Sequence, residues 1–180
     1  MSHTLQSALK SGQEIRIVQI DFGAAFCRVN HQGILNKLCS VGIEGFVLSI
    51  LTQFLSNRSS HDMVNGCRSK QVNEVSGVRQ GSSVLCPLLL LLYTLELFSI
   101  LENKLISHAD DSTLIAVVPS PGVRVTVAGS LSRDLVKVSE WCDLWGMKLN
   151  LNESKVKTMI VSRSRTMHPK SPALTIGELC

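Results

Sequence analysis

At 180 residues the chain supports one domain, or two very small ones, since domains run at about 100–200 residues each. Hydrophobic residues make up 44% and charged residues only 18%, which excludes an intrinsically disordered chain; 12 Gly and 5 Pro exclude collagen-like and low-complexity classes. Aromatics reach 4% and the formal net charge is +4, so the core must be aliphatic and the apolar share is large for the polar surface available to cover it.

In chain order, the β-branched run Ile15–Phe22 predicts a buried strand that closes on an acid, Asp21. Asn30–Leu38 predicts a short helix with Asn30 as its N-cap. Phe46, Ile50, Phe54 and Leu55 predict a second amphipathic helix after Gly45, ended by the polar run Ser56–Ser60. Gln71–Ser76 predicts a short strand, followed by a turn at Gly77–Gly81.

Val84–Leu101 is a Leu-rich run with a single charge, Glu96, and it just meets the length test for a membrane span. Pro87 near its start and Glu96 in its second half argue against that reading. Leu88, Leu92, Leu95 and Phe98 fall at helical spacing, so the expectation is a core helix with that stripe facing inward. Lys104–Val118 predicts a hairpin whose tip, Ala109–Ser112, carries both of its acids. Pro119–Gly122 is a loop. Val127, Leu131, Leu135, Val138, Trp141, Cys142 and Trp145 mark a long amphipathic helix closed by Gly146. Lys148–Leu151 and Lys157–Ser162 predict a last pair of strands. This order describes an α+β domain with helices backing a mostly antiparallel sheet.

The charge is uneven. From Lys148 to Lys170 six basic residues accompany one acid, Glu153. Two readings stand: a surface for an anionic partner such as nucleic acid, or a solvated basic end. The 6 Cys and 5 His are scattered without a CxxC pair, so no zinc is expected. Met1–Lys10 has no charged-then-apolar leader pattern, so an intracellular setting with reduced thiols is expected.

Asp21 at a strand end and Asp110–Asp111 at a hairpin tip are the residues that point to chemistry. A carboxylate at the end of an apolar strand marks a pairing or a metal, because leaving it buried alone is costly. If the strand of Asp21 lies beside the hairpin, three carboxylates converge. Oxygen ligands in that number suit Mg²⁺, which takes one or two carboxylates plus substrate phosphates. Two such ions would clamp the attacking and leaving oxygens of a phosphoryl transfer. The competing reading is that Asp-Asp simply forms a turn.

Four ordered segments weigh against that plain reading: Asp21–Asn30 (DFGAAFCRVN), Gly77–Leu92 (GVRQGSSVLCPLLLLL), His108–Leu114 (HADDSTL) and Trp145–Ile160 (WGMKLNLNESKVKTMI). Together they resemble the palm motifs of reverse transcriptases of non-LTR, LINE-type retrotransposons, most similar to the jockey-like elements. The resemblance implies a partial right-hand polymerase palm over residues 1–170, a tail over 171–180, and fingers and thumb largely absent. It implies RNA-directed DNA polymerase activity, by two-metal nucleotidyl transfer from a dNTP to a primer 3′-hydroxyl. The ions are Mg²⁺, with Mn²⁺ as a substitute, and the partners are an RNA template, a DNA primer and dNTPs, with no membrane. The setting is the nucleus or the cytoplasm.

The resemblance also implies roles for particular residues. Asp21 and Asp110 hold the metal pair with Asp111 in support, and Phe22 offers its backbone carbonyl beside metal and triphosphate. Phe26 is the sugar gate that excludes a ribose 2′-hydroxyl. Gln80 and Gly81 form the turn that packs on nucleotide and template. Lys155 acts on the leaving pyrophosphate as a general acid, or else belongs with Lys157 to a solvated face. The sequence departs from the family pattern at His108, where the family has an aromatic, and at Cys27, where it has a second Asp. It departs again at Arg79, in place of a Pro, at Cys86, in place of a Gly, and at Ser82–Ser83, one residue longer than the family's run. A palm without fingers and thumb is expected to be inactive or nearly so by itself. The alternative is a catalytically dead remnant that binds nucleic acid or a protein.

Overall fold

The β-branched run that opens the chain's chemistry becomes an interior strand of a four-stranded sheet. The structure is a computed structural model and describes residues 2–78, 83–108, 110–150 and 157–163. In chain order its elements are α1 (Ser2–Lys10), β1 (Glu14–Asp21), α2 (Ala25–Arg28), α3 (His31–Ser40) and α4 (Gly45–Leu55), then β2 (Arg58–Ser60), β3 (Met63–Val64), β4 (Cys67–Arg68) and β5 (Val72–Glu74). There follow α5 (Leu85–Tyr93), α6 (Leu97–Ile100), β6 (Lys104–His108), β7 (Asp111–Val118), a 3₁₀ turn at Pro121–Val123, α7 (Arg124–Trp145) and β8 (Lys157–Val161).

The main sheet runs β6-β7-β1-β8 and every neighbour is antiparallel. Side chains alternate between its two faces. Val18, Ile20, Leu105, Leu114 and Ala116 join one core with Leu89 and Leu90 of α5 and Leu131, Leu135 and Val138 of α7. Each fully buried Leu or Ile in such a core contributes about 1.5–3 kcal/mol of transfer free energy. On the opposite face a smaller cluster joins Ala8 of α1 to Ile15 and Ile115. The first residues of β1 are tied to α7 by charge. Glu14 takes Arg16 Nε at 3.2 Å on one oxygen and Arg124 Nε at 2.9 Å on the other. The expected α+β architecture is therefore present.

Local signals explain most element ends. Asn30 Oδ1 accepts from Gly33 N at 2.7 Å, as an N-cap does. Gly146 ends α7 at φ 69°, a left-handed position that glycine fills without a Cβ clash.

Four expectations need correction. The Leu-rich run is two helices, broken at residues 94–96, so its inward face shifts to Cys86, Leu89, Leu90, Tyr93 and Leu97. Leu88, Leu95 and Phe98 are 49%, 47% and 45% exposed. Tyr93 decides which face turns in, because its hydroxyl donates to Trp145 O at 2.7 Å and needs that burial. No helix among the described residues is long and apolar enough to cross a membrane. In α4, Leu51 and Leu55 are buried while Phe46 and Ile50 point outward, at 80% and 47% exposure; α4 packs along α3 and buries only the side that meets it. The polar run after α4 is not all loop, since Arg58–Ser60 pairs with Val72–Glu74. Among the described residues the last two segments run along the first strand rather than along each other: β8 pairs with β1 at Ile15–Gln19, and Leu149 bridges Phe22 just past the end of β1.

Candidate active site

The register of β1 on β7 decides the site. Asp21, the last residue of β1, lies opposite Asp111, the first of β7, and Asp111 lies opposite His108 of β6. Directly opposite side chains share a face, so His108, Asp111 and Asp21 form one row across the sheet. Asp110 sits in the hairpin turn beside them. On the other face the hairpin is pinned just below its tip, where the hydroxyls of Ser107 and Ser112 meet at 2.6 Å. The spacing argument required the strand of Asp21 to lie beside the hairpin, and it does.

Asp21 is also gripped from its other side. Asn150 Nδ2 donates to Asp21 Oδ2 at 3.0 Å, Asn150 N donates to Asp21 O at 2.9 Å, and Gly23 N donates to Lys148 O at 2.7 Å. Lys148–Asn150 therefore extends the sheet past the end of β8. Sequence reasoning missed Asn150; the only trace of its role is its place inside the fourth motif.

Two carboxylates facing each other across a ladder repel unless a cation or solvent screens them. Among the described residues no group of three or more His, Cys, Asp or Glu side chains is arranged to hold a metal ion by itself. The donor chemistry nevertheless fits a hard cation. Asp21, Asp110 and Asp111 offer oxygen only, and Mg²⁺ needs one or two carboxylates when phosphates complete its shell. On the same face, Lys157 of β8 lies opposite Gln19, two residues before Asp21, and brings a positive charge near the row.

The chain after Asp21 turns sharply through Gly23 and Ala24, whose φ of 53° is uncommon for a residue with a Cβ. The ring of Phe22 is buried against Trp141, edge-on, with centroids 6.3 Å apart, so its side chain turns away from the row. Phe26, in α2, is half-buried against the main core. The stretch leading toward Gln80 and Gly81 is stitched onto this same turn. Val78 N donates to Phe26 O and Gly77 N to Val29 O, both at 2.7 Å. His31 Nε2 donates to Gly77 O at 2.8 Å. Gly77 is required here: its φ is +90°, and a Cβ on it would lie 3.0 Å from both Cα and O of Cys27. Two of the four motifs thus meet at Phe26–Val29. Gln80 and Gly81 themselves, Arg79 and Ser82 among the departures, and Lys155 lie outside the described residues.

The two central strands of the antiparallel sheet thus bring facing carboxylates to one edge, with helices behind. The family model described as "Reverse transcriptase (RNA-dependent DNA polymerase)" matches residues 1–171, and the chain belongs to the reverse transcriptase family. Among solved structures it is similar to apo telomerase of Candida tropicalis truncated from its C-terminal domain. That match has a TM-score of 0.61 at 13% identity, over 91% of this chain and 34% of the other. Telomerase of the same organism in complex with a TWJ fragment of telomeric RNA gives a TM-score of 0.59 at 13% identity, over 90% and 28%. The chain spans about a third of the length of these relatives. Its fold is the reverse-transcriptase palm, as the motifs imply.

Proposed function

We propose that this chain is the palm of an RNA-directed DNA polymerase from a non-LTR, LINE-type element of the jockey-like class. The observation that carries the reading is the register placing Asp21 opposite Asp111 within a fold of the reverse transcriptase family. Asp21 and Asp110, with Asp111 in support and the Phe22 carbonyl beside them, would hold the divalent cations, Mg²⁺ or Mn²⁺. Those ions supply charge neutralisation for the triphosphate and a more acidic primer hydroxyl. The protein's own part is mostly positioning. Phe26 excludes a ribose 2′-hydroxyl, and Gln80 and Gly81 pack on nucleotide and template. The primer 3′-hydroxyl gives up its proton to solvent, its oxygen bonds to the α-phosphorus as the bond to the bridging oxygen breaks, and Lys155 gives a proton to the departing pyrophosphate. Lys157 lies on the face a phosphate backbone would follow. The partners proposed are an RNA template, a DNA primer and dNTPs, and the setting proposed is the nucleus or the cytoplasm.

The test is primer extension on poly(rA) with Mg²⁺ or Mn²⁺, set beside Mn²⁺ uptake followed by electron paramagnetic resonance. The isolated chain is expected to take up Mn²⁺, to lose it in Asp21→Asn and in Asp110→Asn, and to extend little or no primer. Robust extension abolished by Asp110→Asn would show the palm to suffice alone. Mn²⁺ uptake indifferent to both substitutions overturns the metal assignment. His108 and Cys27, at positions where the family carries an aromatic and an Asp, favour a second reading, a non-catalytic copy that only binds nucleic acid. RNA binding with neither Mn²⁺ uptake nor synthesis would select it.

A further inference from the structure

We propose that Asn150 is a positioning residue that sets the carboxylate of Asp21 for its cation, an inference that rests on the reading of Asp21 as a metal ligand. Among the described residues β8 pairs with β1 along Ile15–Gln19, and the carboxylate emerges two residues further on. Lys148–Asn150 takes over: Leu149 bridges Phe22, and Asn150 N and Gly23 N close the ladder at 2.9 and 2.7 Å. With Asp111 on its other side, the main chain of Asp21 is held from both edges. The side chain still has two torsions of its own.

The bond from Asn150 Nδ2 to Asp21 Oδ2, 3.0 Å, is a direct restraint on those torsions. An ionised carboxylate only accepts hydrogen bonds, so the amide must present its NH₂ group there. The choice of Asn is chemically apt. A neutral donor favours the charged carboxylate, as ligation needs, while a Lys or Arg in its place would bring a cation to compete with the metal. A carboxylate already oriented also loses less freedom when it binds, which appears as affinity. Outer partners of this kind typically change metal affinity by about 10- to 100-fold when removed.

The experiment titrates Mn²⁺ into the full chain by electron paramagnetic resonance, with thermal melts by circular dichroism, for wild type, Asn150→Ala, Asn150→Leu and Asp21→Asn. Asn150→Ala keeps the backbone bond to Asp21, and Asn150→Leu keeps the bulk as well, so at least one folded variant without the donor is expected. Both are expected to bind Mn²⁺ about 10-fold or more weakly at temperatures where the melts show them folded, and Asp21→Asn to lose binding. A merely structural role would lower the melting temperature and leave the affinity of the folded protein unchanged. That result, with Asp21→Asn still abolishing uptake, overturns the role of Asn150 and leaves the metal assignment standing. Uptake that survives Asp21→Asn, or none by wild type, overturns the assignment of Asp21 and the inference with it.

Discussion

Asp134 carries a full carboxylate into the core of α7, where it is 0% exposed. It can do so because Glu102 N, Asn103 N and Asn103 Nδ2 donate to it at 2.8, 2.9 and 2.8 Å. A buried polar group is tolerated when such donors satisfy it. Asp134→Ala is expected to lower the unfolding free energy by about 3 kcal/mol, because it leaves buried donors without an acceptor; urea denaturation checks this. The thiols sort by the same rule. Burial, with the Asp143 charge added, pushes Cys142 from 9.0 up to about 12, and Cys86 is buried in the same core. Iodoacetamide at pH 8 is expected to label Cys27, Cys39 and Cys67, which are exposed, and to spare Cys86 and Cys142 until the protein unfolds, as mass spectrometry would show. The raised value also has a sign. The unfolded thiol ionises first, so Cys142's contribution to stability is intact below pH 9.0 and lost as pH climbs toward about 12. At this scale Asp21 and the Asp110–Asp111 pair were legible because their signals are local: an acid ending an apolar strand, two acids at a tip. Asn150, Asp134 and Gly77 were not, since each acts on a residue remote in sequence.

Elements were legible where a period and a stop signal coincided. β1, α3, the β6–β7 hairpin and α7 follow from alternation or helical spacing closed by an acid, a cap or a glycine. α1 went unread. The β3–β4 hairpin was missed although Asn65–Gly66, both at positive φ, is the strongest short hairpin signal there is. The orientation of α4 and of the Leu-rich run was misjudged for a different reason. With nearly every position apolar, spacing cannot choose a face, and the partner decides it. In the Leu-rich run the partners are aromatic and charged: Lys37 Nζ lies 3.8 Å from the Trp145 ring centroid, 5.2 Å from Tyr93 and 5.3 Å from Trp141. Burial lowers the pKa of that amine, against the opposing pull of Glu96. The crossing of Ser76–Val78 over α2 carries the clearest expectation at this scale. Gly77→Ala combines a positive φ with a 3.0 Å contact to backbone, so a loss of about 1–3 kcal/mol is expected. Thermal melts of Gly77→Ala beside wild type check this.

For the molecule as a whole, the composition foretold a surplus of apolar surface, and the structure gives it places. Phe46, Val47 and Ile50 stand out from α4, and Leu88, Leu95 and Phe98 from the Leu-rich pair. Contiguous exposed apolar patches promote association. Phe46→Ser is expected to raise the soluble fraction and shift light scattering toward monomer, with the melting temperature within about 2 °C of wild type, since exposed positions contribute little to stability. A rise in aggregation would mean that Phe46 is covered in solution.

The pairing of β1 with β7 also governs when the protein can come into being. Its two central strands are joined only after everything between positions 21 and 111 has been made, and closing so large a loop must precede any reward from the contact. A nascent chain that stops before the hairpin has Asp21 but no strand on either side of it. On a ribosome, therefore, the early helices can settle while the strand that carries Asp21 waits, its edges unpaired and open to other chains. The same arrangement that sets two carboxylates face to face makes the site one of the last parts of the molecule to exist.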